Sequence, residues 1–256
     1  MAPLAPHRAV VIGAGGALGG AIGRAYAEAG AAVWAADRDG AAVRALAAGL
    51  GPGARHGEVD VTDENAVERL AEAVWREGPV DSVVYAAGVA FTADVAETDW
   101  PEYRRLMAVN VDGAFHVARA FVRRMLAAGQ GGSFLFLSSM AGKRGEAGAS
   151  AYCASKFALI GLAQSFAVEV AARGIRVNAL CPGNVDSPLL RQVARDVARR
   201  EGRAEAEVYD DFARAAAARR LVRPDEVAAV AVWLASPRAS AVTGEAINVD
   251  AGALSG

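Results

Sequence analysis

Residues 9–19 read AVVIGAGGALG, in which a short apolar run leads directly into a cluster of glycines. Residues 21–29 follow with helical propensity, so the order is strand, tight loop and helix. Glycine permits a sharp turn and a close approach of the backbone to a ligand, and the free amides at a helix N-terminus attract negative charge. This context predicts a loop that binds the pyrophosphate of a dinucleotide, with a purely structural turn as the alternative. The predicted loop residues are Gly13, Gly15, Gly16, Ala17, Leu18 and Gly19.

The alternation of strand and helix continues along the rest of the chain. Strands that read as continuous apolar runs are what a sheet covered by helices on both faces requires. We therefore predict an α/β fold, a doubly wound parallel sheet of the Rossmann type, with residues 1–256 forming a single domain. The predicted strands are residues 9–12, 32–36, 59–61, 80–85, 133–137, 175–180 and 246–249.

The composition restricts the possible partners. The 27 basic and 29 acidic residues leave a formal net charge of -2, so no overall positive field attracts nucleic acid or an anionic membrane surface. We find no apolar run of about 18 residues that would span a bilayer, and the first residues do not resemble a signal peptide. The sequence predicts no nucleic-acid partner and no membrane partner.

The two cysteines, Cys153 and Cys181, do not have the spacing of a metal site, and the chain has three histidines. We therefore expect no bound metal and two buried free thiols. Because free thiols are typical of reducing compartments, the expected location is cytoplasmic.

Residues 188–222 depart from the alternation, because they are rich in Ala and Arg, have helical propensity and include no predicted strand. Insertions at the carboxyl ends of parallel strands lie beside the ligand crevice. The segment is therefore predicted to be a helical insertion that covers the substrate as a lid. Its mixed charges are equally consistent with a solvated helical face.

Asp37 ends the second predicted strand, where a carboxylate can accept hydrogen bonds from both hydroxyls of the adenosine ribose. A carboxylate repels a 2′-phosphate, so the sequence favours NAD(H) over NADP(H). The neighbouring Arg38 could turn toward such a phosphate, which keeps NADP(H) as an alternative. A plain helix cap is the other interpretation of Asp37.

Two further segments follow strands where a dinucleotide would lie. Asp60 and Val61 end the third predicted strand, where the carboxylate can accept from the adenine amino group and the valine supplies an apolar contact. A helix cap is again the alternative for Asp60. Ala86, Ala87 and Gly88 end the fourth predicted strand with small side chains, which let the backbone approach a cofactor at the switch point of the sheet.

Tyr152 and Lys156 are four residues apart in a stretch, 151–170, that is typical of one helix, so their side chains lie on one face. A phenol with a pKa of about 10 is a poor base at neutral pH, but a nearby ammonium and the positive nicotinamide ring both favour the phenolate. Tyr152 is therefore the predicted general acid/base, which takes the alcohol proton as hydride leaves carbon and returns it in reduction. Ser139 is predicted to hydrogen-bond the reacting oxygen.

The ordered set of motifs resembles the short-chain dehydrogenase/reductase family over essentially the whole chain. The most specific part is Tyr-x-x-x-Lys at 152–156, with Ser139 thirteen positions before the tyrosine. The other matching pieces are the glycine loop, Asp60, the AAG turn at 86–88, Asn110, Ser138, Asn178, Pro182, Gly183, VTG at 242–244 and NVD at 248–250.

The resemblance implies an NAD(H)-dependent enzyme that interconverts a secondary alcohol and a ketone. It implies that Lys156 binds the nicotinamide ribose and lowers the pKa of Tyr152, and that Asn110 bends a helix and holds a water in a proton relay. The segment implied to pack beside the nicotinamide contains Pro182, Gly183 and Val185.

Five positions depart from the family pattern. Ala17 adds a methyl group near the phosphates, and Ile12 with Tyr85 removes a polar tie between the first and fourth strands. The other two replacements are Ser187 for threonine and Ala251 for glycine. None of these positions belongs to the proton-transfer set, so we expect effects on cofactor affinity rather than on chemistry.

The substrate is less well specified, because variable loops recognise it. Residues 142–150 and 188–222 are expected to line the site, where Lys143 and Arg144 either bind an anionic substrate or are solvated. The surroundings of Asn184 resemble those of family members that act on sugar alcohols and small vicinal diols. Reduction of a 3-oxoacyl thioester is the main alternative. A protein that senses NAD(H) without turnover is a third hypothesis, disfavoured by the intact serine, tyrosine and lysine.

The resemblance also implies an oligomer, a homotetramer or homodimer in which the helices carrying Asn110 and Tyr152 pack against those of a neighbour. The apolar side chains of residues 157–166 fit a helix that is buried on more than one side. They also fit the core of a monomer.

Overall fold

Seven strands form one parallel sheet in the computed structural model, which describes residues 2–254. The strands are β1 (Arg8–Ile12), β2 (Ala32–Asp37), β3 (Arg55–Glu58), β4 (Ser82–Tyr85), β5 (Gly132–Leu137), β6 (Ile175–Pro182) and β7 (Ala246–Val249). Their order across the sheet is β3-β2-β1-β4-β5-β6-β7, and each neighbouring pair is parallel. The predicted doubly wound sheet is confirmed, with its switch point between β1 and β4.

The prediction of the third strand is wrong, because β3 covers Arg55–Glu58 rather than residues 59–61. Its sequence is RHGE, and most of its residues are exposed. Among the described residues β3 pairs only with β2, so it is an edge strand and does not need an apolar run. Val59 and Val61 are buried, but they lie beyond the end of the strand.

Helices cover both faces of the sheet, as predicted. They are α1 (Ala17–Glu28), α2 (Gly40–Gly49), α3 (Glu64–Arg76), α4 (Trp100–Met107), α5 (Gly113–Ala127), α6 (Ser150–Val170), α7 (Pro188–Glu201), α8 (Glu205–Arg214) and α9 (Pro224–Ala235). The apolar sides of α3, α5 and α6 form one buried cluster with the sheet, and those of α1, α2 and α9 form another on the opposite face. The carboxyl ends of the strands remain accessible between these layers.

The first helix begins earlier than predicted. Gly16 precedes α1 without a side-chain cap, and Ala17 is the first helical residue. The end of the glycine loop is therefore also the first turn of α1. Because the first amides of a helix have no partner within it, they are available to a ligand at this end.

A π-helical turn, Ala108–Asp112, joins α4 to α5. Asn110 lies within it and is buried. Such turns commonly occur at functional sites. The helix is thus irregular at the position where the sequence implied a bend.

By length and composition alone, the helical stretch Ser150–Arg173 could cross a membrane, with a mean hydropathy of 1.3 over its most apolar window. Of that window 44% is buried inside the protein. A core helix of a soluble protein passes the same test, and Leu159, Ala163 and Phe166 of α6 belong to the buried cluster against the sheet.

The inserted segment 188–222 is largely helical, as predicted, and consists of α7, α8 and an irregular return. Val222 lies beside the segment that follows β6, where its amide donates to the Asn184 carbonyl at 2.8 Å and its carbonyl accepts from the Asp186 amide at 3.0 Å. Ser187 caps α7 by accepting from the Leu190 amide at 3.2 Å, a role that the threonine usual in the family would also perform.

Candidate active site

Two cavities lie at the carboxyl ends of the strands, on either side of the turn that follows β4. The first cavity, of about 310 Å³, lies over β1, β2 and the segment after β3. Predicted residues that line it are Gly13, Gly16, Asp37, Arg38, Asp60, Val61, Ala86, Ala87 and Gly88. The second cavity, of about 330 Å³, lies toward α6 and α7. Predicted residues that line it are Leu18, Ser139, Tyr152, Pro182, Gly183 and Val185.

The glycine loop is folded tightly against its neighbours. Gly13 has φ +83°, and a Cβ at this position would lie 2.3 Å from the Ala87 amide nitrogen. A Cβ on Gly19 would lie 2.1 Å from the Gly13 carbonyl oxygen. Both positions therefore require glycine, one for its conformation and both for space. The loop backbone and the AAG turn after β4 are thereby held together at one edge of the first cavity.

Asp37 is bound to the glycine loop. Its carboxylate accepts from the Gly15 amide at 3.0 Å and from the Asp39 amide at 3.1 Å. The cap of α2 is Asp39, whose side chain accepts from the Ala42 amide, so Asp37 is not the helix cap. The carboxylate is fixed at the wall of the first cavity beside Arg38.

Asp60 lies across the first cavity and is not a helix cap either, because Asp63 caps α3. The Asp60 carboxylate accepts from the Thr62 amide at 2.9 Å and from the Thr62 hydroxyl at 2.7 Å. Both bonds hold the pKa of Asp60 below its usual value, and the bond from the Thr62 backbone amide has the larger effect. It is therefore a fixed negative charge that can accept a hydrogen bond from a ligand.

The tyrosine, lysine and serine come together at the second cavity. The Lys156 ammonium nitrogen lies 5.6 Å from the centre of the Tyr152 ring. It is buried and donates to the Leu137 carbonyl at 2.9 Å. Ser139 accepts from the Ala141 amide at 3.1 Å, and its hydroxyl lies near enough to Tyr152 to lower the pKa of the phenol. Ser139 and Tyr152 thus line one cavity with the Lys156 ammonium beside the tyrosine ring, and their role in proton transfer stays a prediction.

The pKa of Tyr152 is raised to about 12, opposite to the direction that the sequence suggested. Burial is the largest cause, and the nearby Ser139 hydroxyl offsets only part of it. Burial also lowers the pKa of Lys156 to about 8. The attraction of the ammonium alone would favour the phenolate, but the desolvation of both groups dominates here.

Asn110 connects the π-helical turn to two neighbouring elements. Its side-chain nitrogen donates to the Val89 carbonyl and to the Ser155 hydroxyl, both at 3.0 Å, and its oxygen accepts from the Val89 amide at 2.9 Å. A Cβ on Gly88 would lie 3.4 Å from the Lys156 nitrogen and 3.5 Å from the Asn110 oxygen. Asn110 therefore positions the loop after β4 against α6, and its role in a proton relay stays a prediction.

Tyr85 makes a polar contact that the sequence did not predict. Ile12 and Tyr85 are register partners in β1 and β4, so the polar tie usual between these strands is indeed replaced by an apolar contact. The Tyr85 hydroxyl instead donates to the Val109 carbonyl in the π-helical turn. The departure from the family pattern thus fastens β4 to the turn that carries Asn110.

The C-terminal segment supports the loop after β6. A Cβ on Gly183 would lie 2.9 Å from Asp250, whose carboxylate accepts from the Gly252 and Leu254 amides. Ala251, where the family has glycine, has φ +53°. An alanine in this left-handed conformation costs about 1 kcal/mol relative to glycine.

The inserted segment lines the second cavity along α7. Leu189, Val193 and Val197 contribute apolar surface, and Arg200 also lines the cavity. The Arg200 guanidinium lies directly against Gly148, where a Cβ would come within 1.6 Å of it. Lys143 donates to the Ala246 carbonyl, so its ammonium is already bound to the backbone.

Sequence reasoning missed several residues of the two cavities. Arg105 of α4 lines the first cavity, and Phe91 and Thr92 after β4 line the second. Glu146 lines the second cavity from within the predicted loop 142–150, but the sequence did not single it out. The position of Phe91 and Thr92 after β4 could have predicted their place in the site, because loops at the carboxyl ends of parallel strands adjoin the ligand crevice. No comparable signal identified Glu146.

Comparison with known proteins supports one family over nearly the whole chain. A family profile described as Enoyl-(Acyl carrier protein) reductase matches residues 13–253. Sorbitol dehydrogenase of Cereibacter sphaeroides is 36% identical over 95% of this chain and 96% of its own. A galactitol 2-dehydrogenase (L-tagatose-forming) of the same organism is 40% identical over 95% and 93%.

A solved structure agrees. A variant of actinorhodin polyketide ketoreductase with NADPH superposes with a TM-score of 0.94 at 30% sequence identity, covering 100% of both chains. Sequence, fold and the assembled serine, tyrosine and lysine therefore lead to the same conclusion. The chain belongs to the short-chain dehydrogenase/reductase family.

Proposed function

We propose that the protein is an NAD(H)-dependent dehydrogenase that oxidises a secondary hydroxyl of a sugar alcohol or small vicinal diol to a ketone. The observation that carries this proposal is the convergence of Ser139 and Tyr152 on one cavity with Gly183, next to the glycine loop. The two sugar-alcohol dehydrogenases that resemble this chain over nearly its whole length support the substrate class.

The residues at the second cavity divide the proton chemistry between them. Ser139 donates a hydrogen bond to the reacting oxygen, and the Tyr152 hydroxyl oxygen takes the alcohol proton in oxidation or gives it to the forming alkoxide in reduction. Lys156 places a buried positive charge beneath the tyrosine ring and is near enough to Gly88 to hold a ribose there. The oxidised nicotinamide, when bound, supplies the hydride acceptor and a second positive charge that favours phenolate.

The first cavity fits the adenosine half of the cofactor. The Asp37 carboxylate, held by two backbone amides, would accept from the ribose hydroxyls, and Asp60 would accept from the adenine amino group. The free amides of α1 would bind the pyrophosphate across the glycine loop. A preference for NAD(H) follows from the fixed negative charge of Asp37, while Arg38 beside it is the residue through which NADP(H) would be accepted.

Asp37→Ala is expected to shift the ratio of kcat/KM for NAD to kcat/KM for NADP by about 100-fold toward NADP. Hydrogen bonds to a charged group are each worth about 1.5–3 kcal/mol, and the repulsion of a 2′-phosphate disappears with the carboxylate. Steady-state kinetics with both cofactors measures the ratio. Asp63→Ala, which removes a carboxylate at the cap of α3 outside the first cavity, should leave it unchanged. An unaltered ratio in Asp37→Ala would refute the role of this residue.

A substrate panel tests the proposed activity. Purified protein is assayed by nicotinamide absorbance with NAD or NADP against sorbitol, galactitol and threitol, and in reduction against 3-oxoacyl thioesters. We expect NAD-dependent oxidation of at least one polyol and a lower kcat/KM for the thioesters. The opposite ranking would favour the ketoreductase alternative, which the structural similarity to an NADPH-bound polyketide ketoreductase makes a specific competitor.

We also propose that the protein forms a homotetramer or homodimer through α5 and α6. Phe115 is 55% exposed and Phe157 is 47% exposed on these helices, where a neighbouring copy would cover them. A sizing measurement with Phe115→Asp as the disrupting variant checks this assembly.

A further inference from the structure

Glu146 is a carboxylate at the wall of the second cavity that the proton-transfer chemistry does not use. It lies in the loop before α6, is partly buried, and lines the same cavity as Ser139 and Tyr152. Burial raises the pKa of Glu146, and its negative charge in turn contributes to raising the pKa of Tyr152. Because Glu146 and Tyr152 line one cavity of about 330 Å³, a substrate bound at Tyr152 can reach the carboxylate.

The oxygens of Glu146 have unused hydrogen-bonding capacity. Within residues 2–254, no side chain is placed to hydrogen-bond or ion-pair with this carboxylate, and the attraction of Arg144 acts on it without a salt bridge. Glu201 lines the same cavity, but its carboxylate already has partners, because it pairs with Arg203 at 3.1 Å and lies 3.8 Å from Arg200. A partly buried carboxylate without a protein donor is available to a ligand hydroxyl, and a hydrogen bond to a charged acceptor is stronger than one between neutral groups.

We propose that Glu146 determines specificity for polyols by accepting a hydrogen bond from a second hydroxyl of the substrate, next to the carbon that reacts at Tyr152. Much of the remaining wall is apolar, with Met140, Leu189 and Phe212 among its side chains. A simple alcohol or the acyl chain of a thioester offers no donor to Glu146, whereas a vicinal diol always does. This inference rests on the proposed function, because it assumes that the reacting carbinol lies at Tyr152.

The test measures binding without turnover. In a Tyr152→Phe background saturated with NAD, calorimetric titration gives the Kd for galactitol and for cyclohexanol, which carries a single hydroxyl. Adding Glu146→Leu should weaken galactitol binding about 10- to 100-fold, the range for loss of a hydrogen bond to a charged group. Cyclohexanol binding should stay within about threefold or tighten. Glu146→Gln keeps the shape of the side chain and one acceptor oxygen. Its Kd for galactitol should lie between those of the Glu146→Leu variant and of the protein with Glu146.

Controls separate the possible failures. Glu28→Leu removes an exposed glutamate at the far end of α1 and should change neither Kd, and NAD binding by each variant verifies that it is folded. Equal losses for galactitol and cyclohexanol, or no loss for galactitol, would overturn the inference, as would the absence of galactitol binding before Glu146 is changed. Selective loss of galactitol binding combined with no oxidation of any polyol by the unmodified protein would show that Glu146 contacts a polyol hydroxyl, but it would refute the proposed function and overturn the assignment of reaction specificity to Glu146.

Discussion

Tyr152→Phe is expected to lower kcat for alcohol oxidation about 1000-fold while leaving the Kd for NAD within about twofold. Positioned proton transfer contributes about 10²- to 10⁴-fold to an enzymatic rate, and the phenylalanine ring keeps the packing around Lys156 while removing the hydroxyl. Stopped-flow or steady-state absorbance gives kcat, and titration of intrinsic fluorescence gives the Kd.

Tyr103→Phe is the matched control for the loss of a phenol hydroxyl. Tyr103 stacks on Trp100 with ring centres 4.9 Å apart, and its ring would keep this contact in the variant. Tyr103 lies on α4, outside the second cavity. The turnover of the Tyr103→Phe variant should therefore match that of the unmodified protein. Retention of most activity by Tyr152→Phe would show that another group transfers the proton.

The raised pKa of Tyr152 also predicts how the unmodified protein responds to pH. With a pKa of about 12, the hydroxyl keeps its proton at neutral pH, which is the form needed to protonate an alkoxide in reduction. Oxidation needs the phenolate, whose fraction grows about tenfold per pH unit below the pKa. The kcat/KM for oxidation should therefore rise with pH through the neutral range while that for reduction stays nearly flat, and the residual oxidation by Tyr152→Phe should lack the rise that titration of this hydroxyl causes.

Gly13→Ala is expected to lower the free energy of unfolding by about 3 kcal/mol and to weaken NAD binding at least about tenfold. The alanine is disfavoured at φ +83° by about 1–2 kcal/mol, and its Cβ would collide with the Ala87 backbone 2.3 Å away. Relief of this collision must separate the glycine loop from the AAG turn, which changes the shape of the first cavity. Denaturant unfolding and a titration with NAD measure the two effects.

Gly49→Ala provides the matched control for adding one methyl group to a glycine. This residue ends α2, its φ is not positive, and a Cβ there would have no atom within 4 Å. The substitution should be neutral or stabilising, since alanine has the higher helix propensity. If Gly13→Ala and Gly49→Ala changed the free energy of unfolding and the Kd for NAD equally little, the close approach of Gly13 to Ala87 would not require glycine at position 13.

Local signals in the sequence were sufficient for most of the sheet and for the residues that a glycine loop or a Tyr/Lys pair identifies. They failed at β3, because an edge strand with the sequence RHGE carries no apolar period. They also failed to single out Glu146, which lines one cavity with Tyr152 only after the loop before α6 and the inserted segment have both folded. The direction of the Tyr152 pKa without cofactor differs from the expectation for a related reason, since the extent of burial depends on all the surrounding elements and not on the four-residue spacing.

The π-helical turn at Ala108–Asp112 has a geometric consequence for the rod formed by α4 and α5. A π-helical turn accommodates one residue more than an α-helical turn, and one residue corresponds to a rotation of about 100° around the helix axis. The two halves of the rod therefore face different directions, although they are nearly continuous. Arg105 on the first half points toward the first cavity, while the second half keeps Ala114 and Val117 against the sheet. The single extra residue thus allows α4 to present Arg105 to the first cavity while α5 packs against the sheet.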